Sequence, residues 1–140
     1  MPGEVFIDSN IWLDALIETE DPDPRRARAN DLLNSVLRPT ISTQVIREVS
    51  VNLLKKTALP EPTLRTLVSG WYSDCRVVEA TEGQFLLASR LRESLALSYW
   101  DSLIVAAALQ VECSTLFSED MQHGQVINGS LTIVNPFASN

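Results

Sequence analysis

The sequence predicts an α/β fold in which a parallel sheet is covered by helices on both faces. Three observations lead there. Short runs with strand character recur at 4–7, 40–42, 75–78, 114–117 and 131–134. Segments with apolar residues at helical spacing separate them, which is the alternation expected of a parallel sheet. The first run, Glu4-Val5-Phe6-Ile7, leads straight into Asp8-Ser9-Asn10 and then into a helical pattern, as a buried strand followed at once by a helix would.

The elements follow in order. Ile11, Leu13, Ala15, Leu16 and Ile17 carry the first helix, with Ser9 as its expected N-cap. The polar stretch 18–24 contains two prolines and reads as a turn. Pro24 then opens a helix to about Leu37, with Ala27, Ala29, Leu32, Leu33, Val36 and Leu37 inward. Pro39 ends it. Ser42 or Thr43 caps a helix over 44–56 whose apolar positions are Val45, Ile46, Val49 and Leu53. Pro60 and Pro62 break the chain before a helix from Thr63 to about Trp71. Thr81 caps a helix to about Leu95 with Phe85, Leu86, Ala88 and Leu91 inward. Ser98 begins the most apolar helix, which runs through Val111 and is expected to be buried on most sides. Ser118-Glu119-Asp120 stops the fourth strand, and Asn135-Pro136-Phe137 closes the domain.

A chain of 140 residues fits one domain, 1–140, with a real core. No apolar run approaches a membrane span, and the N-terminus lacks the layout of a signal peptide. Cys75 and Cys113 stand alone and read as free, partly buried thiols of a cytoplasmic protein, with one disulfide as the alternative. The net charge of −7 argues against a general polyanion binder. That charge is uneven. All 11 Lys and Arg fall within residues 25–92, whereas 1–24 and 93–140 contain only acids. This pattern reads either as ordinary solvated helix faces or as an acidic site beside a basic surface.

Topology brings four of the acids to one place. In an open α/β sheet, ligands bind at the carboxyl edge of the strands. Asp8 ends the first strand there. Glu48 lies in the helix that leaves the second strand at the same edge. The helix from Ser98 must run down to the start of the fourth strand, so Asp101 sits at its upper end. Asp120 follows the fourth strand. Each acid also has a structural reading: Asp8 as a helix cap, Glu48 as a helix-rim residue, Asp101 as the partner of Ser98 in a capping box, Asp120 as a turn residue. Four clustered carboxylates repel, however, and a divalent cation would compensate them. An all-oxygen set suits Mg²⁺ or Mn²⁺ rather than zinc. His123, the only histidine, is expected to have a loop or structural role.

The segments Val5-Phe6-Ile7-Asp8-Ser9-Asn10, Ser42-Thr43-Gln44-Val45-Ile46-Arg47-Glu48, Leu97-Ser98-Tyr99-Trp100-Asp101-Ser102-Leu103-Ile104 and Ser118-Glu119-Asp120-Met121-Gln122-His123-Gly124 resemble, in order and spacing, the four acidic motifs of PIN-domain ribonucleases. The likeness spans essentially the whole chain and is closest to single-domain VapC-type toxins. It implies a PIN-like α/β/α sandwich with a parallel five-stranded sheet and endonuclease action on RNA that depends on Mg²⁺ or Mn²⁺. A homodimer and a small antitoxin partner are implied too. Carried over residue by residue, Asp8 and Asp101 would be the principal metal ligands. Asp120 would complete the metal site, directly or through water, and Glu48 would hold a water or a second ion. Ser9, Asn10 and Ser118 match the supporting polar positions.

Arg25, Arg26, Arg28, Arg47, Lys55 and Lys56 are the candidates for holding the RNA backbone, and the low overall charge points to a selective substrate. Three other readings compete. A haloacid-dehalogenase-type phosphatase would want a second Asp two residues after Asp8, where Asn10 stands. A non-catalytic module acting on DNA with a regulator would not need the four acids. The third is an acidic metal-binding domain without catalysis.

Overall fold

A computed structural model describes residues 4–19 and 23–138. At its centre is β1 (Glu4–Ile7), whose Phe6 and Ile7 are completely buried. Consecutive strand side chains point to opposite faces. Phe6 therefore enters one core cluster and Ile7 a second one with Ile11, Ala15 and Ala29. The near-continuous apolar run of β1 thus has its cause: the strand is covered above and below.

β1 pairs in parallel with β2 (Thr40–Ser42) on one side and with β4 (Cys113–Phe117) on the other. β3 (Arg76–Val78) extends the sheet beyond β2, and β6 (Leu131–Val134) extends it beyond β4, both in parallel. The sheet has six strands rather than the expected five, in the order β3-β2-β1-β4-β6-β5. The added strand is β5 (Val126–Ile127), antiparallel to β6. It is only two residues long, too short for strand periodicity to register. The turn that makes it is Asn128-Gly129, both with positive φ (52° and 68°), closed by Ser130 N–H donating to Ile127 O at 3.2 Å. This is the left-handed pair that a tight hairpin requires.

The helices are α1 (Ser9–Leu16), α2 (Pro24–Ser35), α3 (Thr43–Lys56), α4 (Glu61–Asp74), α5 (Glu82–Ser94) and α6 (Tyr99–Gln110). α1 and α2 supply the cluster around Ile7, and α3, α5 and α6 pack into the larger cluster with Phe6. α6 is buried at every position from Ser102 to Ala108, as its composition requires. Within the expected helices several inward assignments fail. Ala27 and Leu37 are exposed, and Leu37 lies beyond the end of α2. Phe85 and Leu86 are about half exposed, because α5 turns Gln84, Ala88 and Leu91 to the core instead. α4 starts two residues early, with Pro62 inside its first turn, where a missing N–H costs nothing. The turn expected over 18–24 lies partly outside the described residues. Cys75 and Cys113 are both free and buried. No described helix is long and apolar enough to cross a membrane.

One connection carries strain. α6 ends at Gln110 with Val111 as its C-cap, and Glu112 then takes φ 60°, the left-handed region that glycine occupies without steric cost. We expect Glu112→Gly to raise stability by about 0.5–1 kcal/mol in urea unfolding, with an unchanged m-value. A loss of stability would show that the Glu112 side chain contributes more than its backbone costs.

Candidate active site

The site is built at the ends of β1 and β4. The ladder between them continues one step past the strands, with Asp8 N–H donating to Phe117 O at 3.0 Å. Asp8 keeps an extended backbone (φ −71°, ψ 159°), and the helix begins at Ser9. Asp8, not Ser9, is therefore the N-cap of α1: its Oδ1 accepts from Ser9 N–H at 2.7 Å. Its Oδ2 accepts from Ser118 Oγ at 2.8 Å. The side chain is thus pinned from the first residue of α1 and from the residue that follows β4, and Asp8 is only 4% exposed. Burial pushes its pKa up to about 6; the hydrogen bonds from Ser118 and Ser9 oppose the shift, and the charges of Glu48 and Asp101 add to it.

Glu48 arrives from α3. Its Oε1 accepts from Gln44 Nε2 at 2.8 Å, one turn earlier, and its Oε2 lies 3.2 Å from Ser9 Oγ. Ser9 Oγ is also 3.2 Å from Asp8 Oδ1, so one hydroxyl spans two carboxylates with a single proton. Gln44 Nε2 also reaches Trp100 O at 3.3 Å, which ties α3 to the start of α6. There Ser98 caps the helix, its Oγ accepting from Asp101 N–H at 3.0 Å. The Ser98 side of the anticipated capping box is therefore real. Asp101 nonetheless lies within electrostatic reach of the other acids: burial raises its pKa, the Ser98 hydroxyl lowers it, and Asp120 and Glu48 raise it further.

Asp120 is held by Asn10. Asn10 Nδ2 donates to Asp120 Oδ2 at 2.9 Å, and Asn10 Oδ1 accepts from Glu119 N–H at 3.4 Å. Ser118 Oγ accepts from Asp120 N–H at 3.3 Å while it donates to Asp8. Asn10 Nδ2 also reaches Ser118 Oγ at 3.4 Å, and Ser118 is fully buried, so its contacts are sheltered from water. The acids thus form one connected electrostatic group: Asp8 senses Glu48 and Asp101, and Asp101 senses Glu48 and Asp120. Ser9, Asn10 and Ser118 are the links between the segments. His123 stands apart, with its Nδ1 accepting from Asn135 N–H at 2.9 Å, the loop role expected of it.

Two features escaped the sequence reading. Gln44 holds Glu48; its signal was the four-residue spacing on one helix. The other is a second carboxyl pair, Asp14 and Glu119. Glu119 is raised to about 7 by burial, then by its hydrogen bond and charge contact with Asp14, while Arg25 opposes the shift. Asp14 and Glu119 share a hydrogen bond, and burial raises the pKa of Asp14 as well. Arg25 pairs with Glu119 at 3.1 Å and lies over the Phe137 ring. Arg26 pairs with Glu18 at 3.2 Å, so two of the six candidate backbone-binding cations already have acidic partners.

The carboxylate, hydroxyl and amide oxygens of this edge are a donor set that hard divalent cations accept. Among the described residues, no group of three or more His, Cys, Asp or Glu stands ready to hold a metal ion by itself. The arrangement fits Mg²⁺-like binding, in which one or two carboxylates hold an ion that keeps several waters.

The family model for the PIN domain matches residues 5–126. The chain belongs to the PIN domain family. No curated protein matches it. Among solved structures it is similar to a toxin–antitoxin complex from Klebsiella pneumoniae, with 18% identity and a TM-score of 0.72, covering 96% of this chain and 98% of that one. It is also similar to VapC20 of Mycobacterium tuberculosis, a toxin that cleaves the sarcin–ricin loop (17% identity, TM-score 0.67, 84% and 92% covered). A third is VapBC2 from Rickettsia felis bound to a DNA fragment from its promoter (17% identity, TM-score 0.62, 94% and 98% covered). At these identities the likeness shows that this PIN domain shares their fold.

The raised pKa of Asp8 has a consequence for the metal-free protein. Folding favours the protonated carboxyl, so this stabilisation is full below the ordinary value of 3.8 and is lost as pH rises through about 6. In EDTA, urea unfolding of the wild type from about pH 4 to pH 7 should show a loss of roughly 2–3 kcal/mol that Asp8→Asn lacks. Parallel pH profiles for the two proteins would place Asp8 in water rather than in the interior.

Proposed function

We propose that this PIN domain is a metal-dependent endoribonuclease, the toxin of a toxin–antitoxin pair. The observation that carries this reading is the meeting of Asp8, Glu48, Asp101 and Asp120, from four separate segments, at one sheet edge where Asp8 is buried against its own charge. A cap or a turn does not require that convergence, and a purely binding module would have no use for it. The structural likeness to VapC-type toxins supports the same reading.

Asp8 and Asp101 would be the principal ligands of Mg²⁺ or Mn²⁺, with Asp120 completing the site directly or through water and Glu48 holding a water or a second ion. The bound cation supplies neutralisation of the scissile phosphate and a water acidic enough to ionise near neutral pH. The chain's own residues do the rest. Ser9 and Ser118 fix both oxygens of Asp8, so its rotamer is set before substrate arrives. Asn10 fixes Asp120, and Gln44 with Ser9 fixes Glu48 near Asp8. Glu48 would orient the attacking water. Attack by that water forms a P–O bond and breaks the bond to the 3′-oxygen, which leaves with a proton. The products are a 5′-phosphate and a 3′-hydroxyl. The 2′-hydroxyl takes no part, so preference for RNA comes from shape and sugar contacts.

The same reading carries a cytoplasmic protein with an antitoxin partner and a second copy of itself. A groove lined by Trp12, Leu16, Leu33, Leu37 and Leu67, with Leu37 fully exposed, offers an apolar segment of an antitoxin a place to lie. Val51, Leu54 and Leu86 are exposed on α3 and α5 and offer apolar surface to a second copy.

The test is cleavage of total RNA by the purified protein with Mg²⁺ or Mn²⁺, with EDTA, and with Asp8→Asn and Asp101→Asn. We expect discrete fragments with 5′-phosphates, lost in EDTA and reduced at least about a hundredfold in both variants. Cleavage that survives EDTA, or that both variants retain, would refute the reading.

A further inference from the structure

We propose that the cavity beside the acid cluster, at the junction of β2, α3, α5 and α6, is a subsite for one unpaired nucleobase of the RNA, next to the scissile phosphate. This rests on the ribonuclease reading and adds to it the part of the substrate that the chain would grip. The cavity measures 220 Å³ and is lined by Ser42, Gln44, Arg47, Phe85, Tyr99 and Trp100, among others. That is below the roughly 300–1,000 Å³ of pockets that take drug-sized ligands, so it suits a single ring system.

Four observations point to a base. First, Phe85, Tyr99 and Trp100 are all about half exposed or more, and Trp100 is 62% exposed beside Asp101. Tyr99 and Trp100 hold each other edge-to-face with centroids 5.1 Å apart, and the Arg92 guanidinium lies 4.9 Å from the Tyr99 ring centre. The aromatic wall is therefore positioned before any ligand binds, and an aromatic face is what an unstacked base seeks. Second, Arg47 is the one charged residue in the lining, so a strongly acidic edge gives way here to a locally positive pocket that suits a polyanion. Third, Ser42 lines the cavity, is 3% exposed, and its Oγ has no hydrogen-bond partner. A buried hydroxyl left unpaired is costly, and it leaves one unused hydrogen-bonding group in the wall of the cavity. Fourth, Gln44 Nε2 bonds both Glu48 Oε1 and Trp100 O, so the pocket wall and the acid cluster share one side chain. A base seated in the pocket places its own phosphate beside the acids. A base can enter only if it is unpaired, so the subsite selects loops and single strands over duplex.

The test separates the subsite from the chemistry. Binding of a fluorescently labelled single-stranded hexanucleotide would be followed by anisotropy in EDTA, where no turnover occurs, for wild type, Trp100→Ala, Trp100→Phe and Ser42→Ala. Cleavage in Mn²⁺ and sedimentation would be measured in parallel. We expect Trp100→Ala to weaken binding about 5- to 100-fold, the range for loss of one base–aromatic stack, and Trp100→Phe to restore most of it. Duplex RNA should bind equally weakly to all four proteins. Equal hexanucleotide affinity in wild type and Trp100→Ala would overturn the subsite, even if both cleave RNA. A shift of Trp100→Ala to a smaller assembly would overturn it as well, by assigning this surface to a contact between copies. Trp100-dependent binding without cleavage by the wild type would retain the subsite and remove the ribonuclease reading.

Discussion

The carboxylate of Asp8 is buried where the two central strands end, and the rest of the sheet edge is arranged to keep it there. A buried carboxylate without partners is costly to ionise, and Asp8 has two donors that offset part of that cost: Ser9 N–H and Ser118 Oγ. Those donors come from the start of α1 and the end of β4, so the parallel pairing of β1 with β4 is itself a condition for the site. Ser118 and Asn10 then extend the same network to Asp120, and Ser9 extends it to Glu48. A shift in register between the two strands would separate Asp8 from Ser118 and undo each of these contacts. The α/β framework and the site are in this sense one construction.

Electrostatics sets the second constraint. Asp8 and Asp101 are both harder to ionise than ordinary carboxyls, and burial is the leading cause in each. Charge repulsion among the four acids adds to it. The protein places helix N-termini at three of them, at Asp8 before α1, Asp101 in the first turn of α6, and Glu48 in the second turn of α3. The Arg25–Glu119 pair contributes nearby, but the Arg25 side chain is more than half exposed, so solvent screens it. A site whose negative charge is only partly compensated is the setting in which a divalent cation gains most from binding.

Much of this was legible in the sequence. The order of strands and helices, the downward run of α6 and the placement of the four acids at one edge all follow from the alternation of short strands with helices and from the parallel rule. What escaped is short or contextual. β5 has two residues, and its only sequence mark is Asn128-Gly129, a hairpin signal outside any alternating run. The choice between Asp8 and Ser9 as cap turned on the backbone angles of one residue, which composition does not encode. Phe85 and Leu86 look inward by hydrophobicity, yet α5 is rotated so that Gln84 is buried instead, its Nε2 donating to Leu103 O. Phe85 then joins the aromatic wall beside the acids, a grouping that only the packing of α5 on α6 creates.

The central claim is that the four acids act as one cation-binding unit. Its most direct test is Mn²⁺ binding by the RNA-free protein, measured by calorimetry near neutral pH. Wild type, Asp8→Asn and Asp101→Asn would be compared with Glu93→Gln, an exposed acid in the last turn of α5 that makes none of these contacts. We expect saturable binding by wild type and Glu93→Gln, weakened about tenfold or more in each of the other two variants. Equal Mn²⁺ binding by all four proteins would contradict the claim and return the acids to separate structural roles.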